Sequence, residues 1–149
     1  MIKNIVTVLF TILALNGCVS SDNNREPDSS IFDYFKSLDK EEFEQTIFEC
    51  NNQFNYKGNL PAVIVIYNKL SKDCARELAT LKEIHSDYNG KILFFTIDDD
   101  NQKEIASQFS PSTYPTTVFV PLNNQIQTVG GLLDKSQFEK AFKEIFNVE

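Results

Sequence analysis

The sequence predicts an α/β fold in which one mixed β-sheet is covered by helices on both faces, an α/β/α arrangement of three layers. Three observations carry this prediction. Two continuous apolar runs of strand length, Ala62–Tyr67 and residues 92–97, lack polar alternation and so read as strands buried on both faces. Between them, residues 71–88 place Cys74, Leu78, Leu81 and Ile84 on one helical stripe. Late in the chain, Thr116–Val120 and residues 125–129 flank Asn123-Asn124, a hairpin turn. Strand–helix–strand implies a right-handed parallel crossover, and the hairpin adds antiparallel strands, so the sheet is mixed.

The remaining elements follow in order. Asp39-Lys40-Glu41-Glu42 has capping-box spacing, and Phe43, Ile47 and Phe48 recur at helical intervals, which predicts a helix over residues 39–49. "NNQFNYKGNLP" reads as a loop ahead of the first buried strand. Asn89-Gly90 ends the long helix. A shorter helix, residues 103–109, follows "DDDNQ", and "SPSTYP" leads into the third strand. Ser136-Gln137-Phe138-Glu139 reads as a second capping box, with Phe138, Ala141, Phe142, Ile145 and Phe146 as the buried face of a closing helix.

The N-terminal residues point to a compartment. Lys3 precedes an apolar run, residues 5–15, that is too short for a bilayer-spanning helix, which needs about 20 apolar residues. Leu15-Asn16-Gly17-Cys18 resembles the bacterial lipobox, so residues 1–17 read as a lipoprotein signal peptide and Cys18 as the lipidated N-terminus of the mature chain. Each buried methylene contributes about 0.8 kcal/mol, and several chains give a stable anchor where one would be marginal. Residues 18–30 then read as the lipidated cysteine and a flexible polar tether, and residues 31–149 as one domain. The expected partner is therefore a membrane, reached through Cys18, on the periplasmic side of the cell envelope. Val19 is not the aspartate associated with inner-membrane retention, which favours the outer membrane. Removing residues 1–17 takes away one lysine and no acid, so the formal charge moves from −7 to −8, and nucleic acid is excluded as a partner.

The order of elements, a strand running into x-x-x-Cys at a helix start, and "TYPTTVF" some forty residues later together resemble the thioredoxin family, from about Asp39 to the C-terminus. The stretch Tyr56-Lys57-Gly58-Asn59-Leu60-Pro61 is similar to that of envelope thioredoxins with a long first helix. The resemblance implies a thioredoxin-like fold. It puts Cys74 on the resolving cysteine, Ser71 on the nucleophile, Pro115 on a cis-proline that orients bound peptide, and Gly130 on a substrate-facing glycine. Tyr114, Pro115 and Gly130 are thereby the expected peptide-binding residues. The chain departs from the family's pattern at Leu70 (Trp), Val65 (a buried Asp), Thr96 (its Lys partner) and Ala79 (a helix-kinking Pro), as well as at Ser71.

Without a first cysteine, dithiol exchange is unavailable, because a serine hydroxyl forms no disulfide. Ser71 as an acylating nucleophile needs a base in reach, and the one histidine, His85, lies about 21 Å further along the same helix. Ser71 is then the helix N-cap at a vestigial nucleophile position, and His85 an exposed residue near the helix end. Two readings of Cys74 stand: a buried inert residue, or a lone thiol acting as a monothiol oxidoreductase. A Cys50–Cys74 bridge needs Cα atoms within about 7 Å, and the resemblance puts Cys50 away from the Cys74 face. Asp98-Asp99-Asp100 lacks the spacing of a calcium loop and reads as a strand-to-helix loop with a capping acid. No metal and no cofactor are implied. Three functions follow: a redox-degenerate, lipid-anchored module that binds extended peptide or an envelope protein; a monothiol enzyme using Cys74; and a purely structural lipoprotein.

Overall fold

A computed structural model describes residues 28–50 and 54–149. Residues 1–27, on which the expected signal peptide, Cys18 and most of the expected tether fall, lie outside the described residues. The chain contributes β1 (Lys36–Ser37), α1 (Lys40–Thr46), β2 (Ala62–Tyr67), α2 (Lys72–Ile84), β3 (Leu93–Asp98), α3 (Lys103–Ser107), β4 (Thr116–Val120), β5 (Gln127–Gly130) and α4 (Lys135–Phe146), with short 3₁₀ helices at Ser29–Asp33 and His85–Tyr88. The sheet order is β1-β3-β2-β4-β5. β2 and β3 pair in parallel and β2, β4 and β5 antiparallel, as the crossover and the hairpin require.

β2, in the middle, is buried at every position, which is why its sequence carries no polar alternation. Its residues feed two separate cores. Val63, Val65 and Tyr67 face α2 and α4, meeting Cys74, Leu78, Phe138 and Phe142. Ala62, Ile64 and Ile66 face the other layer, with Phe43, Phe48, Ile105 and Phe109. Aromatic rings meet in edge or stacked pairs in both cores, such as Phe43–Phe48 in one and Phe142–Phe146 in the other.

The first 3₁₀ helix includes Ser29 and Ser30, and the Asp28 carboxylate caps it by accepting from the Ser30 amide. Several predicted element boundaries move. α1 stops at Thr46 rather than 49, because Ile47 turns inward and its carbonyl accepts from the Lys57 amide at 2.9 Å. The closing capping box is Asp134–Gln137, with both reciprocal bonds at 2.9 Å, while the Ser136 hydroxyl only supports Asp134. β5 begins at Gln127 rather than 125, since the Gln125 amide is taken by the Asn123 side chain. β1 was not anticipated.

Candidate functional site

The face at the end of the sheet opposite the β4–β5 turn is built where β2 gives way to α2. Asn68 organises the connection: its backbone carbonyl accepts from the Ser71 amide and its side chain from the Leu70 amide at 2.8 Å. Leu70 is left 91% exposed. Ser71 has extended backbone angles and caps α2, its hydroxyl accepting from the Cys74 amide at 3.4 Å. That is the role its position predicts.

Cys74, one turn in, is 0% exposed and packs among the apolar residues under α2. Burial pushes its thiol up; the Ser71 hydroxyl and the Asn68 backbone oppose this, and the nearby acids Glu77 and Asp73 add to it. The thiol is thus held protonated. Cys50 is half-buried against the opposite core, and both cysteines are free.

Across from the helix start, the Tyr114–Pro115 peptide bond is cis. Pro115 is buried, and Tyr114 packs against both cores. Burial first, then Asp99, Asp100 and Cys74, push the Tyr114 phenol up to about 12, so the tyrosine sits within the electrostatic reach of the thiol. The Thr116 hydroxyl donates to the Thr113 carbonyl at 2.6 Å, and the Gly131 amide donates to the Pro115 carbonyl at 2.8 Å. Gly130 pairs with Thr116 at the end of β4–β5. A Cβ there would stand 2.7 Å from the Thr113 methyl, and Gly131 has φ +96°, so both positions suit glycine. Tyr114's own backbone N–H and C=O enter no backbone hydrogen bond among the described residues.

The sheet beneath α2 has a definable row. Val129, Thr117, Val65, Thr96 and Ser37 stand side by side through the registers of all five strands. Val65 and Thr96 are wholly buried, and the Thr96 hydroxyl has no partner.

Two sequence expectations are corrected. His85 is half-buried rather than exposed, set edge-on to Tyr34, Phe35 and Phe94, with Nδ1 3.4 Å from the Tyr34 hydroxyl. Asp98 does not cap α3. It ends β3, is 5% exposed, and accepts from the Asp100 amide and the Asn101 side chain; the N-cap is Gln102, without a side-chain bond. Among the described residues no group of three or more His, Cys, Asp or Glu side chains is placed to hold a metal.

Sequence reasoning missed Glu77. It lies on the inner stripe of α2 between Cys74 and Leu78, is 0% exposed, and accepts from the Thr117 hydroxyl at 2.5 Å and the Leu133 amide at 2.7 Å. Burial pushes its carboxyl up to about 7, against the pull of those two donors. The signal was present: an acid at the one polar position of an otherwise apolar stripe.

Comparison with known proteins agrees with the geometry. The thioredoxin family model matches residues 35–144. The chain is 26% identical over 112 residues to a thioredoxin of Borreliella burgdorferi, covering 74% of this chain and 96% of that one. It is 22% identical over 101 residues to the chloroplastic thioredoxin M3 of Oryza sativa subsp. japonica, covering 67% and 58%. The crystal structure of chloroplastic thioredoxin z superposes with a TM-score of 0.62 at 15% identity, covering 74% of this chain and 93% of that one, a likeness of fold. With its mixed five-stranded sheet and flanking helices, the chain belongs to the thioredoxin family.

Proposed function

We propose that this is a lipid-anchored thioredoxin-like protein of the bacterial envelope, on the periplasmic side and at the outer rather than the inner membrane. Ser-x-x-Cys in place of Cys-x-x-Cys leaves it without dithiol chemistry. It acts by binding extended peptide or an envelope protein at the Tyr114–Pro115 face. One observation carries this: Ser71 is committed as the N-cap above a sealed Cys74, while the main-chain groups of Tyr114 beside them enter no backbone bond among the described residues. An extended chain can pair with such groups as an added strand pairs with a sheet edge, with exposed Leu70 and exposed Gly130 flanking it.

The test has three arms. The wild-type protein should not accelerate disulfide reduction of insulin by dithiothreitol, whereas Ser71→Cys should restore part of that activity. A random 12-mer peptide display library selected on the wild-type domain should yield binders that a Leu70→Glu variant, changed at an exposed position, no longer holds. Cys18→Ala should release unprocessed or soluble protein from the membrane fraction. Selection without enrichment, or peptides that ignore Leu70→Glu, would leave a purely structural lipoprotein.

A second reading, monothiol exchange at Cys74, is favoured by the thiol's place one turn into α2, where the Ser71 hydroxyl and the Asn68 backbone lower its pKa against burial. A wild-type insulin rate above background and abolished by Cys74→Ala would establish it.

A further inference from the structure

Glu77 is the one acidic side chain with no exposure among the described residues. The charge that acts on it is Asp73, an exposed carboxylate on the same helix and of the same sign. Every neighbour on its stripe is apolar, so leucine or methionine would fill the site without the cost of burying a carboxyl. The groups that face it from other elements are uncharged: the Thr117 hydroxyl from β4 and the Leu133 amide from the segment ahead of α4. Its titratable neighbour on α2 is the Cys74 thiol. Asp134, next to Leu133, turns away and caps α4.

What those two bonds join is informative. Thr117 is two residues after Pro115. Leu133 is two residues after Gly131, whose amide holds the Pro115 carbonyl. One carboxyl therefore ties the helix that starts at Ser71 to both segments framing the cis-proline. We propose that Glu77 is the positioning residue of this face, fixing α2, the start of β4 and the Gly130–Leu133 segment in one arrangement. The inference rests on the peptide-binding reading for the purpose of the face, and not for the tie itself.

The tie is sensitive to protonation. As a neutral acid, Glu77 donates its O–H to Thr117 and accepts from Leu133. As an anion it accepts from both, but among the described residues no cation stands beside its charge, so ionisation favours loosening the tied segments toward water. Glutamine preserves an acceptor and a donor without titrating; leucine preserves bulk and removes the tie.

The experiment is an amide NMR titration of the full-length chain in detergent from pH 5 to 9, with no peptide present. The Leu133 amide proton should titrate, because it donates to the carboxyl. The Gly131 and Thr117 amides, which do not touch it, should move with the same midpoint, and all three should be flat in Glu77→Gln. In Glu77→Leu, exchange at these three amides should rise about tenfold relative to Phe142 and Ile64, as loss of one buried hydrogen bond allows. Titration of Leu133 alone, co-titration that persists in Glu77→Gln, or exchange in Glu77→Leu that rises evenly across the molecule or not at all overturns the proposal. Failed peptide selection alongside co-titrating amides would remove the binding reading and leave Glu77 as the residue that positions this face.

Discussion

Val65 and Thr96 stand opposite one another in the parallel register of β2 and β3, both shut off from water, and the Thr96 hydroxyl oxygen has no hydrogen-bond partner. An unpaired buried hydroxyl costs about 1–3 kcal/mol. Valine has the shape of threonine and no polar atom, so Thr96→Val should stabilise the domain by about 1–2 kcal/mol. Urea unfolding of the two proteins checks this. An unchanged or lowered midpoint would mean that the hydroxyl is satisfied in solution.

That row also marks how far the sequence alone carries. β2 is legible to the residue, because a strand buried on both faces must be apolar throughout. The cap at Ser71 is legible for a similar reason: a hydroxyl three residues before a buried stripe position has one obvious local use. β1 is not legible, since Lys36 and Ser37 are exposed and polar and pair with β3 through their backbone alone. His85 is misjudged because the rings around it, Tyr34, Phe35 and Phe94, come from the N-terminal segment and β3, which helix position does not disclose. Glu77 is the instructive case. Its place on the stripe is visible, but its two donors come from residues 40 and 56 positions away in the chain, so only the fold explains why an acid is tolerated there.

A side chain at Gly130 would crowd Thr113 on the cis-proline face. A methyl at Gly130 would meet the Thr113 Cγ2 at 2.7 Å, and Thr113 is itself held through its carbonyl by Thr116. Gly130→Ala should therefore cost about 1–2 kcal/mol by overpacking. Thr113→Ser removes the clashing methyl and should recover most of that loss in the double variant, a coupling that a thermodynamic cycle measures. Equal costs of Gly130→Ala with and without Thr113→Ser would show that the two side chains do not meet.

Glu77 should also write a pH dependence into the stability of the domain. Its ordinary value is 4.5 and burial raises it to about 7 in the folded chain. Between those values the folded state keeps a proton that the unfolded chain has released, so stability falls as pH rises. The contribution is fully present below about 4.5, is lost progressively up to about 7, and is constant above. At 1.36 kcal/mol per pKa unit the loss is about 3 kcal/mol. Asp28 and Asp134, whose carboxyls are lowered by their capping bonds, act below this window, and the raised Cys74 thiol acts above it. Glu77→Gln keeps the hydrogen bonds without the titration, so its stability should be nearly flat across the same range. The two proteins should differ least at pH 5 and most at pH 8, where the variant is the more stable. Urea midpoints at pH 5, 6, 7 and 8 measure the difference; parallel curves for wild type and Glu77→Gln would place the titration on another group.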